Sequence, residues 1–517
     1  MNIENLEIFR DNKKNQIIII SLIVIIGFII RVSITNFELP LLLDAEEYFW
    51  YANDLTILGF LPNDSISNNG WPVFLSIFFG IIHSNNVLDY MFLQRIIGII
   101  LSSLTIIIIY YLSKRFFSEK IAYIGAIIYA IEPRIIQNSV QGLTEPFDIF
   151  LISCAFLLYF YKRYQYLSII LIGISTIVRS ESIFLFIGLL ILTIIQEKRN
   201  KRTLYKLIIF SLIFFLTISP MLILRVETNG NDGVFYRISS GVDVINYESK
   251  DLELIERIFY FLDAGINHLK FFGWILIPIF ILFVPITFFK IFQENYKIYR
   301  NIFLVFIIYQ FPIFYAYLRT FQETKYFLPI YPILIILSLY AINYIIQKKN
   351  SRIQVYFLII IGLVFSTVIF SIYYYENTAM EVEILEIAKY ITKNEMKVNA
   401  LEPISNYLTI TNLLRMENFP ILRSEMIPTT SIILIDNKTS WENYIDSAIE
   451  SGATHIITDN NEKNLGFILE LYHDEKKFSY LEKVYDSNDM NFNYKLKIYK
   501  IDFEIYQHII NQEIKDN

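Results

Sequence analysis

Residues 16–55 read "QIIIISLIVIIGFIIRVSITNFELPLLLDAEEYFWYANDL", and how this stretch is taken decides the fold. Its first part, 16–36, carries a single charge, Arg31, and is long enough to cross a hydrocarbon core of roughly 30 Å. It is too long, and too poorly followed by small residues, for a cleaved signal peptide, so it reads as an uncleaved anchor. The anchor ends a few residues before Asp44, Glu46, Glu47 and Asp54, which sit among aromatics. A chain of this kind delivers a carboxylate cluster to one surface of a membrane.

The rest of the composition agrees. The 517 residues are 55% hydrophobic and only 18% charged, and a soluble domain of that size needs more charge on its surface. Mean hydropathy is +0.45. The net charge of −6 comes with no basic block, which argues against nucleic acid as a partner. One cysteine, Cys154, excludes an intrachain disulfide framework and a cysteine-based zinc site.

Apolar runs of spanning length recur near 16–36, 90–112, 120–137, 143–161, 165–178, 181–195, 205–225, 270–290, 301–318, 326–346 and 353–374, about eleven helices in all. Lysine and arginine gather in every second connection: Lys13/Lys14, Lys114/Arg115, Lys162/Arg163, Lys198 to Arg202, Lys290 to Arg300 and Lys348 to Arg352. The positive-inside rule makes those connections and the N-terminus cytoplasmic. Segments 37–89, 134–143, 226–268 and 319–325 and the C-terminus then lie outside, as expected of a multi-pass plasma-membrane protein.

The first outer segment, 37–89, holds more than a loop. Helical spacing from Asp44 to Leu58 puts Asp44, Tyr48, Tyr51 and Leu55 on one face, with Phe49 and Trp50 available for the headgroup level. After the turn-rich "LPNDSISNNG", the run "WPVFLSIFFGIIH" is too short to span and reads as interfacial or re-entrant. Beyond about 376 the sequence becomes mixed. "TSIILID" and "ATHIIT" look like short buried strands around the helix-like "WENYIDSAIESG", "EVEILEIAKYI" has helical spacing, and "YKLKIYKI" alternates like a late strand. The expected architecture is a mainly α polytopic membrane domain, 1–375, and an extracytoplasmic α/β domain, 376–517.

Charges in or beside apolar segments are expensive and mark candidate sites. On the outer side these are Arg31, Asp44, Glu46, Glu47, Arg95, Glu132, Arg134, Glu145, Asp148, Arg179, Glu181, Arg225, Arg319, Glu323 and Lys325. Acids and cations at one interface suit attack by an acceptor hydroxyl on a carbon whose leaving group is a phosphate. A carboxylate takes the proton, fixed cations stabilise the phosphate charge, and no general acid is needed. A lipid-linked donor explains a site at the bilayer surface.

The order Arg31, "DAEEY" from Asp44, "GWPVFL", "QGLTEP" and "ETKYFLPIYP" resembles the GT-C superfamily of polytopic glycosyltransferases, most of all its protein O-mannosyltransferase and lipid A aminoarabinose transferase branch. The resemblance covers about residues 10–375. It implies a polyprenyl-phosphate sugar donor, an external active site, an inverting reaction, and an acid of the first outer loop as base. Asp44 matches that position, with Tyr48 at the family's spacing. Many members follow the aspartate with glutamate, whereas this chain has Ala45 and then Glu46 and Glu47, so the second acid's role is open to either. Arg31, Arg134, Arg179, Lys325, Tyr326 and Glu145 are the residues that the resemblance and the charge reasoning offer for holding donor phosphate or substrate. A divalent metal bridging Asp44 or Glu46 to the phosphate occurs in some relatives, though no ligand spacing here demands one. The acceptor, whether lipid, glycan or protein, is not legible.

Plainer readings stand beside these. Asp44 could cap its helix, Glu145 could be a helix-start acid beside Pro146, and the arginines near helix ends could snorkel to headgroups. His83 and His268 read as interfacial packing, and Asn63 and Asn437 are outer-side sequons. A secondary transporter, or a catalytically inactive relative that binds or assembles partners through the outer domain, are the rival classes. The Trp-Trp-Asp signature of the oligosaccharyltransferase branch is missing: Trp50, Trp71, Trp274 and Trp441 stand alone.

Overall fold

The computed structural model describes residues 4–63, 66, 68–82, 84, 86–197, 200–249, 254–291, 297–319, 321, 323–349, 432–435, 440–450, 452–460 and 466–516, with parts of 357–368 and 382–401. His83, Asn437 and most of the expected span 353–374 lie outside these residues. The chain divides into two compact units, 1–36 with 44–83 and 91–370, and 37–43 with 84–90 and 371–517.

The first unit is helical. The anchor is α1 (Glu4–Ile34), followed by α2 (Asp44–Leu58) and α3 (Gly70–Phe79), which are the two short helices expected of the first outer segment. Next come α4 (Val87–Lys114), α5 (Glu119–Ile131), α6 (Pro133–Val140), α7 (Glu145–Tyr159), α8 (Gln165–Val178), α9 (Ile183–Gln196) and α10 (Lys201–Asn229). The series ends with α11 (Val234–Ser249), α12 (Leu254–Leu276), α13 (Phe280–Ile291), α14 (Lys297–Leu318) and α15 (Tyr331–Lys349).

Among the described residues five helices are long and apolar enough to cross a membrane, or six when α12 and α13, bent by 114°, are taken as one broken span. Two expected spans therefore change form. The run 120–137 breaks at Pro133, which lacks an N–H to continue α5 and starts α6 instead, with Glu132 as the cap accepting from Ile135 N. The run 270–290 is the end of α12 and the start of α13, and the outer segment 226–268 is mostly the helices α11 and α12 rather than loop.

Tight helix contacts come from small residues, as lipid gives no hydrophobic drive between helices. At Gly125 on α5 an added Cβ would lie 2.8 Å from both Ser113 Oγ of α4 and Leu339 Cδ1 of α15, so only glycine lets the three helices approach. The buried core runs through Phe186, Phe214, Ile335 and Leu339, with Phe186 and Phe214 stacked at 4.0 Å. The faces of α1, α10 and α12 carry exposed Ile, Leu and Phe, the pattern of helices solvated by lipid.

The second unit holds a five-stranded sheet of β1 (Val398–Leu401), β2 (Ile432–Ile435), β3 (His455–Asp459), β4 (Leu481–Asp486) and β5 (Leu496–Ile501), in the order β2-β1-β3-β5-β4. β1 runs parallel to β2 and β3, while β5 is antiparallel to β3 and β4. Helices α16 (Trp441–Glu450), α17 (Gly466–His473) and α18 (Phe503–Asp516) accompany it. Tyr444, Ile445, Ile456, Leu471, Tyr499 and Tyr506 form its core. This is the expected α/β fold, with the three strands read from the sequence at β2, β3 and β5.

Candidate active site

The site is built around the first turn of α2. Asp44 is its first residue, and its carboxylate is not consumed as a cap: Oδ2 accepts from Lys325 Nζ at 2.7 Å. Lys325 comes from the 3-10 turn Thr324–Ile330 that leads into α15, and it also pairs with Glu323 at 2.7 Å. The Asp44 side chain is 45% exposed and the lysine 23%, so the pair is open to a substrate.

Two acids beside Asp44 fall away from it. Glu46 is fully buried and accepts from Trp50 Nε1 at 3.0 Å, one turn along α2, which makes it an internal brace. Glu47 projects from the exposed side of the helix. Phe49 and Trp50 are buried as well, with Phe49 packed on Phe79 of α3 at 5.7 Å. The expectation of a headgroup-level belt is corrected here: these rings hold α2 against α3.

A second group lies within electrostatic reach of Asp44. Arg179, between α8 and α9, pairs with Glu145 at the start of α7 and lies 3.7 Å from Glu181. Its guanidinium stacks on the Tyr326 ring at 5.7 Å. Arg237 of α11 reaches Glu181 at 3.8 Å. Tyr48, one turn after Asp44, feels Asp44, Glu145, Arg179 and Arg237. Burial, and then the charges of Asp44 and Glu145, push its hydroxyl well above the ordinary phenol range, so it remains a donor.

Local folding explains the assembly. Gly70 sits so close to the end of α8 that a Cβ would lie 2.7 Å from Val178 N, and Asn68 Oδ1 accepts from Ser180 N at 3.3 Å. Gln94 ties Ala45 O to Gly142 O, both at 2.8 Å, and Trp71 Nε1 adds a bond to Gly142 O at 3.1 Å. The first outer segment is thereby bolted to the turns that carry Glu145 and Arg179.

Arg237 also opens onto a cleft whose walls include Ser180, Glu181, Phe184, Arg319 and Tyr326. Arg319 stacks on Phe321 at 5.1 Å and on Tyr315 at 6.0 Å, and its Nε is buried without a partner among the described residues. Tyr315 Oη donates to Ile238 O at 2.5 Å, tying α11 to α14. The cleft thus offers two guanidinium groups beside the Asp44–Lys325 pair. Arg237 escaped the sequence reading because it lies in a segment taken as loop; a helical spacing test on "VFYRISSGVDVINYES" was the available signal.

Two expected site residues belong elsewhere. Arg31 is fully buried and donates to Ser102 Oγ at 3.1 Å, Gly27 O at 2.8 Å and Ala130 O at 2.9 Å, clamping α1 to α4 and α5. Arg134 pairs with Glu132 and donates to Ile277 O and Trp274 O at 2.7 and 2.6 Å, closing the end of α12. Both are placed as helix fasteners rather than phosphate holders: Arg31 acts through Nε and Nη1, with Nη2 buried without a partner among the described residues, and Arg134 through Nη1 and Nη2. His268 faces Gln310 Oε1 at 3.1 Å among Phe314, Tyr317 and Phe327, in keeping with packing.

Among the described residues no three of His, Cys, Asp and Glu gather to hold a metal ion. Asp44 faces the Lys325 ammonium at 2.7 Å.

With this geometry in place, comparison with known proteins adds three findings. Residues 72–224 match the family model described as dolichyl-phosphate-mannose-protein mannosyltransferase. No curated protein matches the sequence. Similar solved structures include the Archaeoglobus fulgidus oligosaccharyltransferase tethered to an acceptor peptide (TM-score 0.54, 12% identity, 92% of this chain and 74% of that one). The same archaeal enzyme, AglB, with an inhibitory peptide and a dolichol-phosphate, gives a TM-score of 0.52 at 12% identity over 93% and 74%. ArnT from Cupriavidus metallidurans bound to undecaprenyl phosphate gives 0.52 at 11% identity over 93% and 97%. At such identities the likeness is one of fold.

Proposed function

We propose that this chain is a membrane glycosyltransferase of the GT-C superfamily and transfers a sugar from a polyprenyl-phosphate donor to an acceptor hydroxyl at the external face of the plasma membrane. The observation that carries the reading is the open Asp44–Lys325 pair, with Tyr326, the residue after the lysine, lining the cleft walled by Arg237 and Arg319. The solved relatives bound to dolichol-phosphate and undecaprenyl phosphate support a lipid phosphate as the donor's carrier.

In this reading the donor phosphate lies against Arg237, Arg319 and Lys325, with the Tyr326 ring as its wall. Asp44 accepts the proton of the acceptor hydroxyl as the oxygen attacks the anomeric carbon from the face opposite the phosphate. The new C–O bond forms, the C–O bond to phosphate breaks with its electron pair, and the sugar inverts. Lys325 serves at both ends of the step. In the ground state it donates to Asp44 at 2.7 Å; as the carboxylate takes up a proton its pull weakens, and the ammonium turns to the phosphate charge that is growing. Tyr48 donates into the same space, and the Glu145–Arg179 pair fixes the wall behind it. All the residues of this reading belong to the membrane unit.

Binding of farnesyl phosphate to the purified chain tests the seat. Arg237→Ala and Arg319→Ala are each expected to weaken it about 10- to 100-fold, the range for a lost charged hydrogen bond. Unchanged affinity in both variants would contradict the placement.

A further inference from the structure

Glu181, in the 3-10 turn Ser180–Ser182 between α8 and α9, lines the cleft together with Arg237 and Arg319. Its Oε1 stands 3.7 Å from Arg179 Nη2 and 3.8 Å from Arg237 Nη2, and the charge of Lys325 acts on the same carboxylate. Both contacts are too long for hydrogen bonds. Glu181 therefore offsets the charge of Arg237 without occupying its N–H groups. Among the described residues neither Arg237 nor Arg319 donates a side-chain hydrogen bond, so both can still donate to a phosphate.

The charges of this neighbourhood balance. Arg179, Arg237, Arg319 and Lys325 are set against Asp44, Glu145, Glu181 and Glu323, and Asp148, fully buried and acting on Arg179, adds nothing to the positive side. A seat for a dianion would hold cations in excess. Here every further negative charge on a ligand meets a carboxylate already in the wall, and the repulsion grows in proportion to the ligand's charge. Sugar transfer changes that charge. The donor is a phosphodiester with one negative charge, whereas the carrier left when the C–O bond breaks is a monoester, whose second proton dissociates near about pH 6.

We propose that Glu181 sets the phosphate selectivity of the cleft: it admits the singly charged diester donor and weakens the hold on the doubly charged monoester that transfer leaves. This rests on the glycosyltransferase reading above. Arg237 and Arg319 supply the attraction, and Glu181 limits it, so the spent carrier leaves instead of staying as an inhibitor. Were Glu181 only a tether for Arg237, its removal would loosen the guanidinium and weaken every phosphate ligand. The selectivity role predicts the opposite sign, a tighter hold that favours the more highly charged ligand.

The test compares two ligands that differ in one charge. The full-length protein is titrated with farnesyl phosphate and with its diester, farnesyl methyl phosphate, at about pH 8, where the monoester is mostly a dianion. Wild type is expected to bind the diester at least as tightly as the monoester, although two guanidiniums by themselves favour the dianion. Glu181→Gln, which keeps the shape and removes the charge, is expected to tighten the monoester about tenfold relative to the diester without weakening either. Glu181→Asp, which keeps the charge, is expected to retain the wild-type order. Glu181→Ala serves if Glu181→Gln folds poorly. A wild-type preference of about tenfold or more for the monoester overturns the proposal. A Glu181→Gln variant that weakens both ligands, or that keeps the wild-type ratio, overturns it too. Wild type that binds neither ligand contradicts the phosphate seat itself, and the glycosyltransferase reading then falls first.

Discussion

At the scale of single residues, Lys325 and Arg31 show how two cations of the same segment class differ by their acceptors. Lys325 faces two carboxylates that remain partly open, so its charge is available to a ligand. Lys325→Met is expected to lower both farnesyl phosphate affinity and sugar transfer, whereas Lys325→Arg recovers part of each; equal behaviour of the two variants in a binding titration would argue against a charge role. Arg31 is fully buried and spends Nε and Nη1 on Ser102, Gly27 O and Ala130 O. Arg31→Met is expected to cost on the order of 3 kcal/mol of stability and to lower the unfolding temperature, while the folded fraction binds farnesyl phosphate normally. Asp44 was legible as an acid just past the first apolar run, while its pairing with Lys325, 281 residues away, was not. Arg31 was misread because sequence gives depth along a helix but not which side faces Ser102 and Ala130. The choice among Asp44, Glu46 and Glu47 likewise waited on helix rotation, which puts Glu46 under Trp50.

Elements bring these residues together, and their close approaches carry expectations of their own. Gly70 at the start of α3 touches the backbone of Val178. Gly70→Ala is expected to push the first outer segment from the Arg179 turn and to reduce sugar transfer by an order of magnitude or more. Gly273→Ala, on α12 with nothing within 4 Å of the added methyl, is expected to leave transfer unchanged or to stabilise the helix by up to about 1 kcal/mol. Comparable losses in both variants would remove the docking argument. In the sheet unit, burial raises the Glu475 carboxyl, but hydrogen bonds from Lys497 and Lys483 outweigh it and hold it below the usual range; Asp486 is lowered too, by Asn488 N and Lys483 against burial. Folded values below unfolded ones give stability that is present above the unfolded carboxylate range and lost as pH falls through the depressed values. Hydrogen-exchange protection of β4 and β5 in the full-length protein is therefore expected to drop below about pH 4.5, and less steeply in Glu475→Gln. A profile identical in both proteins would contradict this. Strands β2, β3 and β5 were readable as apolar runs between turns. β4 was not, because "LEKVYD" mixes charges into a bulged edge strand.

Across the whole molecule, long apolar helices and short ones serve different ends. The spanning helices α1, α4, α10, α14 and the 3-10 turn with α15 set the frame, and α2 and α7, too short to be simple spans, bring Asp44 and Glu145 to the surroundings of Tyr48. Hydropathy made the membrane class plain from the sequence. It could not show that Pro133 splits one run or that α12 and α13 turn through 114°, since a window average is blind to direction. The account stands or falls on one reaction at one carboxylate. The decisive measurement is transfer of labelled sugar from polyprenyl-phosphate mannose, glucose or arabinose by the full-length protein in liposomes, beside Asp44→Asn at equal membrane level and equal farnesyl phosphate affinity. The expected result is transfer by wild type from at least one donor, slowed about 10²- to 10⁴-fold in the variant. Transfer at the wild-type rate by Asp44→Asn, or none by wild type from any of the three donors, would contradict it.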